Sequence, residues 1–148
     1  MEDKNTILID LYKLNKKMED VISKACLKMR LNYVEFMMLG LAKEKDMNVS
    51  KLSSELGISK SAVSQAIVCL SIKRLITKEP AVDNKKSFYI RLTKKAIKVL
   101  DELCLVYQPF LENIKSEMGK EKYQMFLDLA KQMNENMHNI EGGSKESC

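Results

Sequence analysis

The chain has 148 residues, 45% of them hydrophobic, which suits one ordinary domain or one domain plus an oligomerisation region. It holds no apolar run of 18 or more uncharged residues, and its start, MEDKNTILID, is acidic without a signal-peptide pattern; no membrane span and a cytoplasmic location are expected. The net charge of +5 is uneven: residues 43–98 carry 13 Lys/Arg against 5 Asp/Glu (+8), and the remainder 12 against 15 (−3), a concentration that is the footprint of a polyanion site.

The first predicted element is a helix over residues 5–29. Ile7, Leu11, Leu14, Met18, Val21, Ala25 and Met29 step by three or four and share one face. Asn32 followed by Glu35 fits a capping-box start for a second helix, from Tyr33 to about Lys43, apolar nearly all round and expected in the core. Ser50 is the expected cap of a third helix over residues 51–56, with Leu52 and Leu56 inward and Gly57 supplying the positive φ that stops it. Ser59 then caps a fourth helix, from Lys60 to about Lys73.

Residues 76–79 and 87–92 read as two strands; Phe88, Ile90 and Leu92 alternate with Tyr89 and Arg91. Pro80, Asp83 and Asn84 give the tip its turn chemistry. Thr93 opens a long fifth helix with the stripe Ala96, Leu100, Leu103, Tyr107, Phe110 and Ile114. Pro109 is expected to kink or split it, and Gly119 to end it. A last helix, Lys120 to about His138, carries Tyr123, Phe126, Leu127, Ala130 and Met133, and a disordered tail is expected after it.

The third and fourth helices meet at the turn Leu56-Gly57-Ile58-Ser59, and a basic hairpin follows. A helix-turn-helix with such a hairpin is a device for touching two grooves of DNA. On the fourth helix Ala62, Val63, Ala66, Ile67 and Leu70 should pack inward. The opposite face presents Ser61, Ser64, Gln65 and Val68, flanked by Ser59 and Lys60. Small polar residues let a helix lie deep in a major groove, and Gln65 can pair with adenine N7 and N6. Lys60 and the first-turn amides suit a phosphate. Val68 is expected to pack against the hairpin, a thymine methyl being the other possible partner. Lys85 and Lys86 at the tip, with Arg91 further along, suit the negative potential of the minor groove.

These residues resemble the MarR family of bacterial winged-helix regulators. The matching text is Glu35-Phe36-Met37-Met38-Leu39, then the run from Leu52 to Ser64, then Ile90-Arg91-Leu92-Thr93. The chain departs from the family pattern at three places. Asn84 and Lys86 stand where the wing often has Asp and Arg, Arg74 where a glycine commonly precedes the wing, and Ala96 where a glycine usually follows it. Lysine keeps the charge but loses the planar fork, and Arg74 requires an altered or strained turn.

The resemblance implies a mainly α fold with a small β-hairpin wing. Residues 1–31 would form an N-terminal dimerisation helix, 32–93 the winged helix-turn-helix domain, 94–140 the C-terminal dimerisation helices, and 141–148 a disordered tail. Apolar stripes near both ends support a homodimer independently, since one small helix-turn-helix core could not bury both. The expected partner is a pseudo-palindromic double-stranded operator. The expected function is that of a repressor released by a small aromatic or amphipathic effector. Met29, Tyr33, Phe36, Met37 and Tyr107 are the candidates for lining its cleft.

Two alternatives share the fold: a thiol-based redox regulator and a winged-helix module that binds only protein. Cys26, Cys69, Cys104 and Cys148 are far apart, without a CxxC pair, and are expected to be buried free thiols. With one histidine, His138, no metal site is expected. The chain lacks a phosphate-cradling glycine loop, a nucleophile elbow and a paired-carboxylate pattern, so neither catalytic residues nor a cofactor is expected.

Overall fold

A computed structural model describes residues 3–82 and 86–143, with side chains as far as Met137. The described residues form six helices and one two-stranded antiparallel hairpin. The chain divides into two units, one ending at Tyr107 and one beginning at Gln108.

Helix α1 (Lys4–Lys28) starts where the Asp3 side chain accepts from the Asn5 amide. It ends as Arg30 turns to φ 56° and the Leu31 amide reaches back to the Cys26 carbonyl. Helix α2 (Tyr33–Glu44) begins as expected, with the Asn32 side chain accepting from the Glu35 amide at 2.8 Å. The reciprocal half of the capping box is absent, because the Glu35 carboxylate turns to Lys73 instead.

Helix α3 (Val49–Leu56) corrects the expected start. Its cap is Asn48, which accepts from the Lys51 amide at 2.8 Å, so Ser50 lies inside the helix. The cause is tertiary: Met47 is held in a β-bridge to Ile90, whose amide donates to the Met47 carbonyl. Gly57 closes α3 at φ 63°, a conformation that costs glycine nothing. Helix α4 (Lys60–Ile72) follows and ends with Arg74 at φ 59°. Arg74, at the position where the resemblance has a glycine, thus takes up a left-handed turn.

Strands β1 (Ile76–Pro80) and β2 (Phe88–Leu92) pair in register, Ile76 opposite Leu92 and Lys78 opposite Ile90. Ile90 is buried by the bridge to Met47 on its other side. Thr93 then closes the hairpin's base: its amide donates to Leu75 and its hydroxyl to the Arg74 carbonyl. The same hydroxyl accepts from the Ala96 amide and caps α5 (Lys94–Met118).

Pro109 does not split α5, which stays helical through it. A proline removes one i→i−4 bond, and the neighbouring turns hold the helix together. Gly119, at φ 86°, separates α5 from α6 (Lys120–Gly143), which runs past the expected end at His138.

The core of the first unit draws on every element it contains. Cys26, Met38, Leu39, Met47, Leu52, Val63, Leu70, Ile90 and Leu103 are fully buried. Burying side chains of this size contributes about 1.5–3 kcal/mol each. The apolar residues of α6 are different: Phe126, Leu129, Met133 and Met137 lie at successive helical turns and are exposed.

Candidate nucleic-acid interface

The turn before α4 sets its direction. The Ser53 hydroxyl donates to the Ile58 carbonyl at 2.7 Å, beside the left-handed Gly57. Ser59 then caps α4, its hydroxyl accepting from the Ala62 amide at 3.0 Å. The two faces separate as the spacing predicts. Val63, Ala66, Ile67 and Leu70 are buried, while Lys60, Ser61, Ser64, Gln65 and Val68 are exposed. Ala62 is half-buried. Val68 departs from expectation: the hairpin leaves it 54% exposed.

Of the wing candidates, Lys86 is exposed, and Lys85 lies outside the described residues, as do Asp83 and Asn84. Arg91 is engaged. Its Nη1 lies 2.6 Å from Asp46 Oδ1, and its Nε donates to Glu79 Oε2. These hydrogen bonds, that to Glu79 foremost, push the guanidinium pKa still higher. Arg91 also lies 5.6 Å from the centroid of the Tyr89 ring, as does Lys51 Nζ. Lys78 lies over Phe88 at 4.8 Å.

Asp46, Glu79, Lys51 and Lys78 were not singled out from the sequence. The strand register could have found one of them, since it sets Glu79 opposite Tyr89, diagonal to Arg91. Asp46 is brought in by the Met47–Ile90 bridge, which no local pattern announces.

The five cleft candidates, Met29, Tyr33, Phe36, Met37 and Tyr107, are all half-buried. Phe36 and Tyr107 meet edge to face, their centroids 6.0 Å apart at 71°. Burial pushes the Tyr107 phenol pKa up, and a hydrogen bond with Cys104 adds to the shift. Burial also raises Tyr33 and the Cys26 thiol, helped by Glu19 and Glu35 respectively. A depression of about 280 Å³ opens elsewhere, along α4, bordered by Val34, Glu35, Ile58, Gln65 and Cys69. Among the described residues no His/Cys/Asp/Glu group could hold a metal ion, and no helix is long and apolar enough to cross a membrane.

No family model and no curated protein sequence matches the chain. Solved structures do. A MarR transcriptional regulator from Methanosarcina mazei superposes with a TM-score of 0.81 at 20% identity, over 93% of this chain and 99% of that one. The fold is that of the MarR transcriptional regulators. A MarR protein from Peptoclostridium difficile gives 0.78 at 20% identity, over 95% and 94% of the two chains. A MarR mutant from E. coli, complexed with operator DNA, gives 0.69 at 14% identity, over 89% and 99%. The MarR fold places α4 in the helix-turn-helix and β1–β2 in the wing.

Proposed function

We propose that the chain is a homodimeric DNA-binding regulator that represses transcription and is released by a small aromatic or amphipathic effector. One observation carries the reading: α4 is anchored by a buried apolar side and offers a continuous outer side of Lys60, Ser61, Ser64 and Gln65. Such a helix enters a major groove without bulk, and Gln65 pairs with an adenine edge. Lys86 and its neighbour Lys85 serve the minor groove or its phosphates, and Ser59 and Lys60 a phosphate at the helix start. Arg91, held by Asp46 and Glu79, acts more as a brace of the wing than as a free groove contact.

The E. coli structure in complex with operator DNA supports the assignment by its fold. Dimerisation is supported by apolar residues that water would otherwise meet. Ile7, Leu8, Leu11 and Leu14 are exposed on α1, as are Phe126, Leu129, Met133 and Met137 on α6. A two-fold pair would set two reading helices about 34 Å apart on a pseudo-palindrome. The half-buried Phe36–Tyr107 contact is where an aromatic effector would intercalate; binding better to a non-reading spacing of the two α4 helices, it would lower DNA affinity by linkage.

The test is fluorescence anisotropy on random duplex and on a selected duplex at several salt concentrations, with light scattering for subunit number. Binding that weakens steeply with salt, with a log–log slope of about −0.9 per neutralised phosphate, is expected. Salt-insensitive or absent duplex binding, or a stable lone subunit, would overturn the reading.

A further inference from the structure

We propose that Val68 reads a thymine methyl group next to the base pair read by Gln65, which makes it a specificity-determining residue of α4. The inference rests on the DNA-binding reading and adds a base identity to it.

The outer side of α4 has an apolar member that the fold does not use. Val63, Ala66, Ile67 and Leu70 account for the inward stripe. Val68 is 54% exposed, well short of the burial that packing against the hairpin would give. It follows Gln65 by three residues, one turn on along the same side. Three residues advance about 4.5 Å along a helix, and successive bases lie about 3.4 Å apart along a strand, so the two side chains address neighbouring steps. Helical side chains lean toward the N-terminus, which tilts Val68 toward Gln65.

A valine in that place discriminates in two ways. Thymine alone among the four bases shows a methyl group in the major groove, and an apolar contact there removes both surfaces from water. The amino and carbonyl edges of the other bases would be desolvated by Val68 without a hydrogen bond in return. The branched Cβ also keeps the side chain stiff, so little rotamer freedom is lost on contact.

The experiment uses the full chain and a duplex selected from a random pool. Each thymine of the half-site is replaced in turn by deoxyuridine, which lacks only the C5 methyl. One position is expected to weaken wild-type binding roughly fourfold per half-site, the free energy of one buried methyl group. Val68→Ala and Val68→Thr should bind the thymine and uracil duplexes more equally, Val68→Ala with no preference at that position. Wild-type indifference to every replacement, with duplex binding intact, overturns this inference and leaves the DNA-binding reading standing. An undiminished methyl preference in Val68→Ala does the same. Failure to bind any duplex overturns both.

Discussion

The ammonium nitrogen of Lys73 lies 2.6 Å from Glu35 Oε2 and 2.7 Å from the carbonyl oxygen of Arg30. Three parts of the chain converge on that one amine: the end of α1, the first turn of α2 and the residue that closes α4. The Glu35 side chain is only 5% exposed, and this amine is its ion-pair partner. The backbone carbonyl of Lys73 is in turn held by Lys95 Nζ at 2.9 Å.

Removing the amine strands the carboxylate. Lys73→Met is expected to destabilise the fold by about 2–3 kcal/mol; this is below the figure for a fully buried pair, because Lys73 retains some water. Glu35→Leu combined with Lys73→Met should recover most of the loss, since no unpaired charge is left inside. Urea unfolding of the two single variants and the double variant checks this. A double variant as unstable as the summed singles would show that the ion pair is not the source.

Gln65 and Lys86 should fail in different ways. Gln65→Ala is expected to lose about 1–3 kcal/mol of discrimination at one position per half-site. Lys86→Ala should weaken binding to all sequences alike and make the log–log salt slope shallower by about 0.9 per site. Competition binding over a set of single-base operator variants, repeated across salt, separates the two. Equal loss of specificity from both changes would contradict the groove assignments.

The carboxylates around Arg91 hold back the wing's positive field. Glu79→Gln removes one negative charge beside Arg91 and leaves an amide oxygen that can still accept from it. DNA affinity should then rise roughly two- to fivefold at low salt, with the gain fading as salt screens it. Anisotropy titrations of the variant at low and at physiological ionic strength provide the measurement. Weaker binding at low salt would mean that Glu79 is needed to shape the hairpin.

Dimerisation should respond to α6 and not to the end of the chain. Phe126→Glu, or Met133→Glu two stripe positions further on, is expected to lower the subunit number in light scattering. Deletion of residues 142–148 should leave it unchanged, although α6 extends as far as Gly143. Loss of the dimer on truncation would place the interface further along the helix than the apolar stripe indicates.

Much of this layout is legible in residue order because the elements announce themselves locally. Asn32, Gly57 and Ser59 each carry a cap or stop signal that the fold obeys. The two sides of α4 separate as its spacing indicates, Val68 included, although it is left 54% exposed where packing against the hairpin is expected. What the sequence conceals depends on distant partners. Ser50 reads as the cap of α3, and the role falls to Asn48 because Met47 is pinned to Ile90. Glu35 reads as half of a capping box, and its carboxylate is claimed by a lysine 38 residues away. Arg91 reads as a free cation for the same reason: nothing nearby in sequence says that Asp46 will face it.

The Met47–Ile90 bridge and the Arg91–Asp46 pair both stitch β2 to the segment just ahead of α3. The strands of the hairpin are therefore no loose finger, and their offset from the start of α3 is set within the fold. On the proposed reading the protein would work as a caliper: a double helix would be gripped well when its twist brings one groove to α4 and the next to the wing, and over- or underwound DNA would meet only one jaw at a time.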